Sequence, residues 1–266
     1  MKTRISAMIC LLCVLGYPLS ASAEVGDELP TISSGTIEPY LSFMAGVSLP
    51  FSEDATFVDG TTPREMRDID YQMKQSIGGN AGIWFPTRDK LLGFDLGGEI
   101  EGYIWYPDVA CCLENFNGVT LPDGSFEGTT TEIQGIYVGA NLMIRRPMGI
   151  SEAYPNGRWH PYVGIGGGAH QLSMRPGGSR GTEGAPFTDQ RDTAPAFQAK
   201  GGFKVFLFKY LAAFAEAKYT HAFHDGLTTD RFGASGAGPL VVNPFESTIR
   251  TIHVHAGLSL HFDVKP

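Results

Sequence analysis

TIHVHAGLSLHF, residues Thr251–Phe262, places apolar and polar side chains on alternate positions. Ile252, Val254, Ala256, Leu258, Leu260 and Phe262 share one parity; Thr251, His253, His255, Ser259 and His261 share the other. Successive side chains of an extended strand point to opposite faces, so this stretch predicts a strand with one apolar and one polar face.

Working back along the chain, seven more segments carry the same signature. Ile37, Leu41, Phe43, Ala45, Val47 and Leu49 oppose Glu38, Tyr40, Ser42 and Ser48. From Tyr71 to Phe85, Met73, Ile77, Ala81 and Ile83 oppose Gln72, Lys74, Ser76 and Asn80. Leu92, Phe94, Leu96, Ile100 and Ile104 oppose Asp95, Glu99, Glu101 and Tyr103. Ile136, Val138, Ala140, Leu142 and Ile144 face away from Tyr137, Asn141 and Arg145. Val163, Ile165 and Ala169 oppose His160, Tyr162 and His170. Phe197, Ala199, Phe203 and Val205 oppose Gln198, Lys200 and Lys204. Leu211, Ala213, Ala215 and Ala217 oppose Phe214, Glu216, Lys218 and Thr220.

Alternation leaves the inside and outside open. A soluble lipocalin-like barrel turns its apolar face inward; a membrane barrel turns it to lipid. Two features favour the second arrangement. The polar faces are rich in glycine mid-strand (Gly78, Gly82, Gly93, Gly97, Gly164, Gly166, Gly168), as a narrow lumen requires. Aromatics (Phe85, Tyr106, Trp159, Phe208, Tyr210, Tyr219, Phe262) gather near strand ends, as in interfacial girdles. No open sheet could sit in lipid with its edge groups unpaired. The expected fold is therefore all-β, an eight-stranded antiparallel transmembrane up-and-down barrel.

The connections set its orientation. Residues 51–69, 107–129, 173–194 and 222–247 read as long loops, whereas Pro86–Leu91, Pro147–Arg158 and Phe208–Tyr210 are shorter. Long loops face the cell exterior and short turns the periplasm. Residues 1–23 read as a signal peptide: Lys2 and Arg4, an apolar run from Ile5 to Leu19, then Ala21-Ser22-Ala23. Residues 24–266 then form the outer-membrane barrel domain, with localisation in the bacterial outer membrane. No later segment offers 18 continuous apolar residues.

After removal of the signal, 18 basic face 28 acidic side chains, a net charge of −10. An acidic chain without basic clusters argues against nucleic acid as a partner. Cys111 and Cys112 remain, adjacent in an oxidising compartment, as a possible disulfide or an intermolecular pair.

Three constellations could carry chemistry. The polar faces would bring Glu38, Asp95, Glu99, Glu101 and Glu216 into the lumen with Lys74, Arg145, Lys200, Lys204 and Lys218. Buried charges must pair, so the favoured expectation is a salt-bridged plug; a narrow ion path is its rival. His253 and His255, two apart on one face near His261, with His160 and His170 inward from another strand, are weak candidate metal ligands. The mouth after the seventh strand collects His221, His224 and Asp225, with Asp230, Arg231 and Ser235 beyond, as an acyl-transfer candidate.

HPYVGIGGGAH (His160–His170), AEAKYTH (Ala215–His221) and HVHAGLSLHF (His253–Phe262) resemble the OmpA-type family of small outer-membrane barrels. The chain departs from that pattern where Asp263-Val264-Lys265-Pro266 follow the terminal aromatic. The resemblance implies contact with the barrel-assembly machinery through the last strand, and no cofactor. It implies a structural or surface-interaction role, with lipopolysaccharide and outer-membrane lipids around the barrel and host or environmental molecules at the loops. A small porin-like diffusion channel is an alternative. A lipid A modifying enzyme is another, although position 223 is Phe, so the His-x-Ser pair of the deacylase type is missing. No periplasmic domain is expected beyond the eighth strand.

Overall fold

The computed structural model describes residues 36–51, 53–59, 62–69, 71–109, 115–116, 131–176, 190–230 and 242–264. The expected signal peptide, Cys111, Cys112, Arg231 and Ser235 lie outside them. Eight long strands make the barrel: β1 (Glu38–Pro50), β2 (Lys74–Phe85), β3 (Asp95–Trp105), β4 (Thr131–Arg145), β5 (Trp159–Pro176), β6 (Gln190–Phe206), β7 (Leu211–Asp230) and β8 (Val242–His261). Each is antiparallel to the next, and β8 pairs back with β1, Ala45 opposite Ala256 and Leu41 opposite Leu260. Closure leaves no free edge along the wall.

The faces fall as the alternation requires. Leu41, Phe43, Ile100, Val138, Leu142 and Ile165 are 58–65% exposed, while Glu101, Arg145 and Lys218 are 1–3% exposed. In water this arrangement is inverted at every level: apolar area wetted at a cost of roughly 25 cal/mol per Å², charges desolvated. In a bilayer the outer face meets hydrocarbon, and the closed ring of eight paired strands gives the wall backbone its hydrogen-bond partners within the protein. The chain is a transmembrane barrel of the outer-membrane type.

Several boundaries differ from the sequence reading. Residues 88–93 form a turn, with Leu92 at φ 53° and Gly93 at φ 88°, so Leu92 and Phe94 precede β3 rather than belong to it. Leu92 stands 94% exposed on that turn. At the other end, β6 begins at Gln190, β7 continues to Asp230 and β8 starts at Val242, well inside the expected loops. The first expected loop is itself strand: Glu53–Asp59 pairs with the outer end of β8 and with Thr62–Ile69, which meets Asn115–Phe116. Beyond the bilayer both faces of a strand meet water, so the apolar/polar alternation that marks a strand in sequence disappears while the backbone ladder continues.

Candidate functional site

Inward positions of all eight strands fill the lumen with side chains that pair in layers. At the periplasmic end, the start of β1 and the end of β4 bring Glu38 and Arg145 together. The guanidinium grips the carboxylate at both oxygens, at 2.8 and 2.7 Å. Arg145 also donates from Nε to Asp95 at 3.3 Å and lies 4.6 Å over the Trp84 ring. Arg88, on the turn before β3, closes on Asp95 from the other side at 3.1 and 2.8 Å. His261 Nδ1 donates to Glu38 at 2.5 Å, which leaves Nε2 to accept from Lys204 at 3.2 Å. Lys204 caps the Tyr40 ring at 4.2 Å.

Mid-barrel, β3, β6 and β7 contribute the second layer. Lys200 pairs with Glu99 and stands 3.2 Å from Glu101 and 3.7 Å from Glu216. Lys218 binds Glu101 at 2.7 Å and stands 3.0 Å from the Glu216 carboxylate, an ion pair off the hydrogen-bond axis. Gln198 and Asn141 donate to Glu101. Tyr40 donates to Glu99 at 2.6 Å and Tyr162 to Glu216 at 3.0 Å. Both tyrosines need glycine opposite: a Cβ at Gly82 would stand 2.5 Å from Tyr40 Cζ, and one at Gly202 2.5 Å from Tyr162 Cζ.

The first layer sets Glu38 and Asp95 against Arg88 and Arg145, with Lys204 held by His261, and the second sets Glu99, Glu101 and Glu216 against Lys200 and Lys218, so the charges balance only over the two layers together. Between them a cavity lined by Asn80, Trp84, Glu99 and Lys204 has room for about one water. Lys74 stands on the inward face nearer the outer mouth, half-buried and opposite Ser48.

The outer third of the lumen holds the histidines. His253 Nδ1 bonds Ser48 and His255 Nε2 bonds Ser76, each at 2.6 Å, and their rings stack at 5.8 Å. Tyr103 stacks on Tyr137 and reaches Thr220 at 2.7 Å. Higher up, Trp105 Nε1 donates to His170 Nε2 at 3.3 Å, His170 Nδ1 to His224 Nε2 at 2.8 Å, and His224 Nδ1 to Asp192 at 2.7 Å. His160 lies at the opposite end, bonded to the Asn156 carbonyl. The described residues hold no group of three or more His, Cys, Asp or Glu arranged for a metal ion.

The proposed catalytic mouth does not assemble among the described residues. His221 faces outward, stacked on Phe223 at 4.3 Å, whereas His224 faces inward toward His170. An odd and an even position on one strand cannot share a face; β7 simply runs further than the alternation suggested. Asp225 is exposed, and His224 has Asp192 as its carboxylate instead. Sequence reasoning missed Arg88 and Asp192 because one sits in a turn and the other in an expected loop.

No family model matches the chain, and no curated protein does. Among solved structures it resembles outer-membrane protein OprG of Pseudomonas aeruginosa, at 12% identity and TM-score 0.49 over 85% of this chain and 96% of that one. A major outer-membrane protein of Thermus thermophilus is similar at 10% identity and TM-score 0.44, covering 84% and 99%. Neisserial surface protein A is similar at 12% identity and TM-score 0.41, covering 84% and 97%. The lumen geometry and the inverted faces make this chain, in its own right, a small eight-stranded barrel of the bacterial outer membrane.

Proposed function

We propose that the barrel is a closed scaffold of the OmpA-type kind, whose work is done at its surface rather than through its lumen. The observation that supports this most is the crossing of the lumen by buried ion pairs at two levels. An eight-stranded barrel has room for its own side chains and little else, and here the side chains bind one another. An ion entering would have to displace Lys200 or Lys218 from buried carboxylates, at a cost of several kcal/mol.

The functional surface is then the outer loops, carried on strands that continue past the bilayer. They would meet host or environmental molecules, with lipopolysaccharide around the wall. The last strand would serve the barrel-assembly machinery. Planar-bilayer recording of the purified barrel tests the scaffold against a diffusion channel: silence is expected, and stable unitary steps would overturn the reading. Deletion of residues 231–241 should reduce surface binding or adhesion without loss of the folded, heat-modifiable band. Unchanged binding would count against the surface role.

A further inference from the structure

Arg145 and Arg146 are neighbours with opposite surroundings. Arg145 turns into the lumen, where Glu38 and Asp95 hold it. Arg146 is exposed at the periplasmic rim, where its guanidinium lies 5.9 Å over the Phe94 ring. At the far end of the same turn Arg158 repeats the arrangement, exposed and lying 5.5 Å over Tyr154 and 5.6 Å over Trp159. Among the described residues no carboxylate comes within ion-pair distance of Arg146 or Arg158, in contrast to Arg88 and Arg145.

The turn that carries both arginines is long for the periplasmic end, yet its backbone is fixed. Met148 and Trp159 exchange bonds at 2.9 and 3.0 Å, and Ser151 and Tyr154 at 3.2 and 3.0 Å. The Arg158 carbonyl accepts from Phe206 on β6 at 2.9 Å. Gly149 and Gly157, at φ 67° and 95°, supply the left-handed positions. Trp159 packs on Phe203 at 5.7 Å and is exposed on the wall, as are Met148 and Ile150. Other charges stand at this end. Glu152 is exposed on the same turn and Lys90 on the turn before β3; Asp89 has a partner of its own. Lys209 lies over Tyr210, and Asp263 accepts from Asn156 at 3.5 Å.

We infer that Arg158, assisted by Arg146, binds the phosphodiester of an anionic phospholipid in the inner leaflet, of the phosphatidylglycerol kind. A guanidinium offers a planar fork that matches two phosphate oxygens. The ring faces orient that fork without neutralising it, so its charge is left for the headgroup. Trp159, Met148 and Ile150 receive the upper acyl chains, as interfacial aromatics do. Two cations against the single Glu152 favour a headgroup without an ammonium of its own. The short-turn end faces the periplasmic leaflet. This gives the proposed contact with outer-membrane lipids a class and a place, and it rests on the barrel standing in that membrane.

Native mass spectrometry of the whole barrel tests it, with phosphatidylglycerol, phosphatidylethanolamine and diacylglycerol of the same chains as probes. The parent should retain phosphatidylglycerol about tenfold better than diacylglycerol, and better than phosphatidylethanolamine. Arg158→Gln should remove most of that preference, Arg158→Lys should keep part of it through charge without the fork, and Arg146→Gln should weaken it. Arg191→Gln, at the opposite end of the barrel, should leave it intact. Equal retention of phosphatidylglycerol and diacylglycerol by the parent would overturn the site, and that arm requires no variant to fold. So would an Arg158→Gln barrel that keeps the preference, or a parent that holds phosphatidylethanolamine equally well. Displacement of phosphatidylglycerol by inorganic phosphate would assign the arginines to a free anion and overturn the lipid. Heat-modifiable migration, run in parallel, separates the two claims: a barrel that shifts on boiling but ignores phosphatidylglycerol sinks only the lipid site, whereas one that never shifts sinks the membrane reading beneath it.

Discussion

Asp192 accepts from His224 Nδ1 at 2.7 Å, and that bond sets the direction of a relay across the outer mouth. Trp105 can only donate, so His170 Nε2 is the acceptor at that end and His170 Nδ1 carries the proton toward His224. All four ring nitrogens are therefore engaged. The relay thus fixes the Trp105 indole through two imidazoles and a carboxylate. His224→Phe removes the nitrogen that His170 Nδ1 donates to and should shift Trp105 emission at constant pH. The same change in a Trp105→Phe background should leave emission unmoved. A shift that persists in that background would show that the signal belongs to Trp84 or Trp159 and that the relay does not hold Trp105.

Glu38 holds Arg145 by two hydrogen bonds with both side chains 2% exposed. Removing one partner of such a pair leaves the other buried without compensation, at a cost of about 3–5 kcal/mol. Asp95 remains within 3.3 Å of Arg145, which places Glu38→Gln at the lower end, about 3 kcal/mol. Glu38→Leu combined with Arg145→Met removes both charges and should cost less than the two single changes summed. Denaturant unfolding from lipid vesicles measures the four states of that cycle. Additive losses would mean the pair is not coupled.

Gly82 and Gly202 are required by what stands over them. Either Gly→Ala change sets a methyl against a tyrosine ring that is itself bonded to a mid-lumen carboxylate. The expected cost is about 1–3 kcal/mol from overpacking. Gly82→Ala combined with Tyr40→Leu should recover part of that loss, because the smaller side chain vacates the methyl's place. Thermal unfolding of single and double variants decides it; a double variant worse than the sum would mean that Glu99 depends on Tyr40 more than the packing does.

The fold was legible where lipid and lumen impose opposite demands on neighbouring residues. Thr251–Phe262 carries both faces of β8 in its spelling, and parity alone sorted Glu38, Glu101 and Lys218 inward. Legibility ended where that contrast ends. Gln190–Pro195 and Leu227–Asp230 are strands in water, with no apolar face to betray them, so Asp192 looked like a loop residue. Parity could have separated His221 from His224 had β7 been carried past Thr220. Which charge meets which was not legible, because pairing depends on the stagger between strands: Glu38 and Arg145 are 107 residues apart and meet only once β1 and β4 close around the barrel.

Opening the lumen should therefore require removal of the central layer and not of a single charge. Glu101 is the hub, bonded by Lys218, Lys200, Gln198 and Asn141. Glu101→Ala alone leaves Lys218 with Glu216 and Lys200 with Glu99 and Glu216, so the remaining pairs still cross the lumen. Glu101→Ala with Lys218→Ala removes one charge of each sign, keeps the balance, and should cost less than the two single changes summed. Adding Gln198→Ala withdraws the amide that fills the same level. In planar bilayers the parent and the single variant should stay silent, and the triple variant should show discrete unitary steps. Its cation-to-anion preference should follow Glu99 and Glu216, and reverse when both are changed to Gln. Steps in the parent would mean that the pairs open on their own. A triple variant that folds yet stays silent would move the seal outward, to the stacked Tyr103 and Tyr137 rings above the charges.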